Sequence, residues 1–432
     1  MGQLSHGPAA RAPAGQRRDL RRALSLSLAN QALASGGNFL LSLYLARQMA
    51  LEQFGIYSMC YGACTLYVGI GNALLLTQMT VTSGARPQHL RDAFAGHTLC
   101  GVVALGGALL LLALPAAALM AAWHRPGAGA IAFAAVSASM MLGCEFFVSH
   151  AYLRRREGGA LQVNAATLFT LSGGMAILTL RHHQPQAAEA LALYALATGL
   201  AALLAYASGP LRLRSSVSGM RSDWRASWQH GRWALGGVAI TWVQAQSATY
   251  MLAAVLGPAG AGLANLSRLF ITPFSFLLPA VNKVALPRLA ALSAHAPRLM
   301  QRLATVLTLA LSATAILYSL LLLSALDWLG PRVLGQAVPG LRPLVTLWCL
   351  VLVAQMVRSG GAQLLQLQLQ FRRLTLLNLP TAALALLVML ALMQRFAHHG
   401  ALVGMLAGEV VLAVLIWKEI RHGNRATALV DG

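Results

Sequence analysis

Four ionisable side chains stand inside long apolar stretches: Glu145, Arg268, Arg358 and Glu409. Placing such a group at mid-bilayer costs roughly 2.5–3.5 kcal/mol, so each must meet water, protein or a ligand. A guanidinium offers a planar fork of donors that matches the oxygens of a phosphate. Arg268, about two helical turns into its stretch, can therefore hold an anion or snorkel to the near interface. Arg358 lies deeper, where snorkelling is harder, and suits a cavity or a helix contact. Glu145 and Glu409 can pair with a cation, bond a neighbouring helix as neutral acids, or carry a coupling proton.

Uncharged polar residues form stripes in the same apolar stretches. Gln31, Ser35, Asn38 and Ser42 follow at steps of 4, 3 and 4, which is one helical face. Thr241, Gln244 and Ser247 make a shorter stripe, and Gln355, Ser359, Gln363, Gln366 and Gln370 a longer one. Such faces are too costly against lipid, so they meet a wet cavity or another helix. Their presence on the first span of each half favours the cavity. The sequence carries no P-loop, dinucleotide-binding glycine turn, Ser-x-x-Lys motif or metal-ligand cluster, so neither cofactor, metal nor catalytic residue is expected. Cys60, Cys64, Cys100, Cys144 and Cys349 all fall in apolar stretches and read as small core residues.

The elements that carry these residues follow from composition. Of 432 residues, 57% are hydrophobic and 10% charged, against about 25% charged in soluble proteins; mean hydropathy is +0.64. This excludes a soluble enzyme, a disordered chain and a secreted disulfide scaffold. It leaves an all-α polytopic membrane protein. At about 20 residues per crossing, twelve spans are expected: 23–46, 54–79, 94–121, 128–151, 160–180, 188–209, 233–256, 262–285, 303–326, 344–368, 373–394 and 400–418. Arg21-Arg22 before the first span imitates a signal peptide, but Ser25, Ser27, Asn30 and Gln31 interrupt the apolar run, so an uncleaved span is expected. With the N-terminus inside, 24 basic residues face the cytoplasm and 6 the other side, which places both termini in the cytoplasm. The net charge of +21 is thereby an orientation signal rather than a nucleic-acid footprint.

Loops on the outer side are too short for a catalytic domain. The longest inner segment, Pro210 to Arg232, carries Trp224 and Trp228 on one face among arginines, the pattern of a helix lying in the interface. The expected division is a basic tail (1–22), a six-helix lobe (23–209), an interfacial amphipathic linker (210–232), a second six-helix lobe (233–418) and a tail (419–432). A weak repeat supports it. Leu45-Ala46 precedes Gly55, and Leu252-Ala253 precedes Gly262, each by nine residues from the alanine. Two such halves around a central cavity are a transporter plan.

Leu45-Ala46-Arg47 followed by Phe54-Gly55-Ile56-Tyr57-Ser58 resembles the first two spans of the Wzx-type polysaccharide flippases, in the multidrug/oligosaccharidyl-lipid/polysaccharide exporter superfamily. Gly231-Arg232-Trp233, Leu256-Gly257 before Gly262, and Leu286-Pro287-Arg288-Leu289 are similar in the second half. The resemblance implies movement of an undecaprenyl-diphosphate-linked oligosaccharide across the bacterial inner membrane by alternating access, for O-antigen, lipopolysaccharide or exopolysaccharide synthesis. It implies membrane lipids, a polysaccharide polymerase and a chain-length regulator as partners, and no nucleic acid. Arg268, Arg358 and Arg47 would hold the diphosphate; Gln31, Asn38, Gln244, Gln355 and Gln363 would line the path of the sugars; Glu145 and Glu409 would be coupling candidates. Three rivals remain at this stage. A multidrug/cation antiporter would favour acidic and aromatic cavity residues, whereas basic groups are expected to prevail here. A lipid II flippase is a close relative. A membrane polymerase or ligase would need a large outer loop.

Overall fold

The computed structural model describes residues 14–83, 87–124, 127–154, 156–181, 184–208, 217–278, 281, 285, 289, 296–368 and 370–430. Among these the secondary structure is helical throughout, without strands. The helices are α1 (Ala14–Gln48), α2 (Leu51–Gly71), α3 (Thr77–Ser83), α4 (Gln88–Ala122), α5 (Ala128–Leu153), α6 (Glu157–Leu180) and α7 (Ala187–Ser208). Then come α8 (Val217–Arg268), α9 (Thr272–Ser275), α10 (Pro297–Leu334), α11 (Leu341–Leu367) and α12 (Phe371–Val430). A π-turn, Asn72–Leu76, joins α2 to α3. Inner and outer below follow the orientation read from the arginines.

Nine helical stretches among the described residues are long and apolar enough to cross a membrane. Two of them, Gly231–Ser275 and Arg372–Arg421, are each broken by a single residue. Gly257 (φ 74, ψ 178) interrupts α8 and Ala397 (φ 48, ψ −123) interrupts α12. Both breaks fall in the gaps expected between spans. α1 is not among the nine: its polar face lowers its hydropathy, as the Gln31-to-Ser42 stripe foreshadows.

The expected linker departs from the sequence reading. Residues 210–216 lie outside the described residues, and from Val217 the helix runs without a break to Gly257. No boundary exists at residue 233, because neither a proline nor a cap interrupts the helix there. Forty residues at 1.5 Å each make a rod of about 60 Å, roughly twice the hydrocarbon thickness. Its inner part docks on α4: Trp224 Nε1 donates to the His97 carbonyl at 2.8 Å, and Asp223 Oδ2 lies 2.7 Å from His97 Nδ1. Trp224 thus turns to protein, while Trp228 remains 53% exposed.

Buried apolar residues form three clusters. One, near the outer ends, draws on both halves: Leu41, Leu45, Tyr57 and Leu191 join Leu252, Phe270, Trp348 and Leu352. Nearer the inner ends each half has its own. Leu75, Met79, Phe94 and Phe146 form that of the first half, and Met300, Leu364, Leu412 and Ile416 that of the second. Leu111, Leu112, Phe169 and Leu387 stand open on the outside of the bundle, a surface that a bilayer covers.

Candidate functional site

The halves meet most closely along α2 and α8. Gly55, Gly62 and Gly69, spaced by seven, present one small-residue face of α2 to α8. A Cβ on Gly55 would overlap the Pro258 carbonyl; one on Gly62 would stand 3.2 Å from the Gln246 side chain, and one on Gly69 3.0 Å from Val238. Further in, a Cβ on Gly231 would meet the Ala73 carbonyl oxygen at 2.8 Å. Trp242 Nε1 donates to the Gly62 carbonyl at 2.7 Å, and Tyr250 Oη to the Met59 carbonyl at 2.7 Å. On the other side of the interface α1 meets the chain after α8 through Phe39 and Phe276, ring centroids 6.2 Å apart.

Arg268 ends α8 beside this interface and is half-buried. Its guanidinium lies 5.4 Å from the centre of the Trp348 ring. Nη1 donates a long bond, 3.4 Å, to the Ala245 carbonyl. No carboxylate lies within ion-pair distance among the described residues. Trp348, which the sequence reading passed over, is 4% exposed. Its Nε1 is held by the Ala264 carbonyl at 3.2 Å and Ser267 Oγ at 3.1 Å.

Arg358 differs from expectation. Its Nε donates to Glu409 Oε2 at 2.5 Å, and Gln355 Nε2 donates to Glu409 Oε1 at 3.3 Å. The side chains are 26% and 14% exposed. Three of the expected site residues thus satisfy one another inside the second half, because a lone charge in a low-dielectric bundle is far costlier than a pair. Arg358 and Arg268 do not form a shared doublet of free cations. Trp348 and Arg358 stand ten positions apart on α11, about 15 Å along its axis. The pair removes one basic and one acidic group together, and the expected excess of basic groups is absent among the four ionisable side chains, two arginines standing against two glutamates. Arg268 and Glu145 are what remains without an opposite charge among the described residues of the membrane interior.

Glu145 is exposed on α5. It lines a small cavity of about 70 Å³ with Asn38, Asn164, Thr167, Tyr194 and Thr198. Tyr194 Oη donates to Asn38 Oδ1 at 2.6 Å. Nearby, Asn164 Nδ2 donates to Asn30 Oδ1 at 2.7 Å and Asn30 Nδ2 to Tyr152 Oη at 2.8 Å. The polar face of α1 therefore bonds to other helices of its own half as well as bordering a cavity. That cavity is lined by α1, α5, α6 and α7 of the first half alone.

The remaining expected residues scatter. Gln31 is exposed and donates to Ser35 at 3.0 Å within α1. Gln244 Nε2 lies 3.3 Å from Asn378 Oδ1 and borders a cavity of about 30 Å³ beside Glu409. Gln363 is 9% exposed in the inner core of the second half. Arg47 is exposed at the outer end of α1, where its Nε stands 3.1 Å from the position a Gly335 Cβ would take. It is an outer-rim residue rather than part of a central cation cluster. Among the described residues no group of three or more His, Cys, Asp or Glu could hold a metal ion. The Leu286-Pro287-Arg288 part of the second-half motif lies outside the described residues.

No family model and no curated protein matches this sequence. Solved structures do match. The lipid II flippase MurJ in an inward closed conformation superposes with a TM-score of 0.71 at 9% identity, over 92% of this chain and 87% of that one. An inward-facing multidrug resistance MATE transporter of the MOP superfamily gives 0.62 at 14% identity, over 90% and 94%. The chain has the fold of MOP-superfamily transporters. A MOP-superfamily transporter from Pyrococcus furiosus, reported for the reverse polarity of its binding pocket, gives 0.56 at 14% identity over 94% and 95%. The matched structures are transporters and flippases rather than enzymes. Gly55 and Gly262, the two glycines of the sequence repeat, meet in the fold.

Proposed function

We propose that this chain is a flippase that carries an undecaprenyl-diphosphate-linked oligosaccharide from the cytoplasmic to the periplasmic leaflet of a bacterial inner membrane. It does so by alternating access between two six-helix halves of a twelve-span bundle with both termini cytoplasmic. The observation that carries this reading is Arg268: a half-buried guanidinium at the interface of the halves, backed by an aromatic ring and unmatched by a carboxylate. A diphosphate supplies the missing charge, and the guanidinium fork suits its oxygens. The polar residues of α1 and α8 serve the sugars, and the polyprenyl tail stays in lipid. Arg358, held by Glu409, contributes structure to the second half rather than a contact to the diphosphate.

The test is polymer export in a strain lacking its own flippase, at matched protein level. Arg268→Ala abolishes export, and Arg268→Lys keeps part of it, since charge survives and the fork does not. Normal export by Arg268→Ala overturns the reading.

A second reading, a lipid II flippase, draws on the superposition with MurJ. The diphosphate chemistry is the same and the glycan differs. Rescue of a strain depleted of its lipid II flippase, without rescue of polymer export, decides for it.

A further inference from the structure

A separate cavity lies in the first half, away from Arg268, Glu145 and Glu409. It has a volume of about 750 Å³ and sits at the inner ends of α5, α6 and α7. That is within the range of roughly 300–1,000 Å³ typical of small-molecule sites. The cavities beside Glu145 and Glu409 are about 70 and 30 Å³. Its walls come from the first half alone and are mainly apolar, with Phe147, Val163 and Ala201 all buried; His150 and Ser208 also line it. Leu204, 51% exposed, stands at its edge. Its rim is basic. Arg154 and Arg156 border it where α5 passes into α6.

These two arginines are not used up by the protein. Arg154 gives one terminal nitrogen to Asp92 Oδ1 at 2.6 Å, and a guanidinium has five N–H donors in all. Arg156 is exposed and has no side-chain partner among the described residues. Gln162, one turn into α6, adds an amide to the same rim. Asp92 is the one carboxylate in contact with the rim arginines among the described residues; it offsets charge on Arg154 and leaves Arg156 without a paired carboxylate.

A pocket with apolar walls and a basic mouth, open at the level of the inner headgroups, matches one kind of occupant. Water gains little from apolar walls, and a free anion would use the mouth and leave the walls bare. A bilayer lipid satisfies both. Basic pockets between spans on the cytoplasmic side are of this kind. We propose that this pocket binds an anionic phospholipid of the bilayer, its phosphate on Arg154 and Arg156 and an acyl chain against Phe147, Val163 and Ala201. The lipid would wedge the inner ends of α5, α6 and α7 and be a resident of the first half, separate from the transported substrate.

The experiment uses the full chain in nanodiscs of phosphatidylcholine with and without phosphatidylglycerol, followed by gentle release and native mass spectrometry of retained lipid. The wild type retains one phosphatidylglycerol in preference to phosphatidylcholine. The double variant Arg154→Gln/Arg156→Gln loses it, with binding weakened about tenfold or more for the charge-assisted bonds removed. Ala205→Trp, which fills the pocket and leaves the rim charges in place, loses it too. Arg373→Gln, at an exposed inner-end arginine elsewhere, retains it. Retention by the double-Gln variant equal to wild type overturns the proposal. So does retention by Ala205→Trp, which would reduce the effect to diffuse surface attraction. Selective retention of undecaprenyl diphosphate instead of phosphatidylglycerol also overturns it and makes the pocket part of the substrate path. Because the readout is bound lipid, failure of the flippase reading leaves the result intact.

Discussion

Gly55 and Gly262 face each other across the two halves with no side chain between them. A Cβ added to Gly262 would overlap the Leu51 carbonyl and stand 3.2 Å from the Gly55 nitrogen. The same pair marks corresponding places in the sequence repeat, so the two halves touch at equivalent points. A contact of backbone on backbone has no flexible atoms to yield.

Gly262→Val should therefore force the outer ends apart. Overpacking of this kind costs about 1–3 kcal/mol, which lowers the closed population roughly five- to 150-fold. In a chain with its native cysteines replaced, a cysteine at Asn38 should then react faster with a membrane-impermeant maleimide added from outside. An unchanged rate means that this contact does not set closure.

Trp348 holds Arg268 in place, so its loss should mimic loss of the arginine. Trp348→Ala should lower polymer export toward the level of Arg268→Ala. Trp348→Phe keeps an aromatic face and gives up the two Nε1 bonds, worth about 1 kcal/mol in net stability, and should lie between. The assay is export at matched protein level. Normal export by Trp348→Ala would separate the arginine's role from its ring.

Arg358 and Glu409 should behave as a pair. Removing one partner of a buried ion pair costs about 3–5 kcal/mol; the lower end applies here because Arg358 is 26% exposed. Arg358→Met and Glu409→Leu should each lower the unfolding temperature in detergent. The double variant should recover most of the loss. Additive losses would show that each group has another partner.

Ala397 is a residue with a side chain at φ 48, ψ −123. Non-glycine residues in such regions carry about 1–3 kcal/mol of strain. Ala397→Gly should raise thermal stability by up to about 1 kcal/mol after the entropy of glycine is set against it. A fall in unfolding temperature would contradict the strained turn.

Much of this architecture could be read from residues alone. The apolar stretches marked the helices, and the gaps between them coincide with the breaks at Gly257 and Ala397. The Gly55/Gly262 repeat pointed to a contact whose partners it could not name, because what glycine permits is set by what comes near. The Arg358–Glu409 pair was hidden for a similar reason. The residues lie 51 positions apart on different helices, and periodicity gives the face of a helix but not its neighbour. Trp348 left no polar signal in an apolar helix, so its contact with Arg268 was invisible. The linker misled through composition. A polar, arginine-rich segment suggested a separate element, yet helix propagation from Val217 needs only the absence of a breaker before Gly257.

That uninterrupted helix has a mechanical consequence. Its inner arm is a stiff rod of about 60 Å, and a tilt of about ten degrees about Gly257 would sweep the Val217 end through about 10 Å. Yet Trp224 and Asp223 pin that end to α4, while Trp242 and Tyr250 fasten the middle to α2. A lever fixed along its length cannot swing alone. The rod that opens the second half of the sequence is bolted to the first, and the helix first breaks at Gly257, some twenty-four residues past the point where the sequence divides.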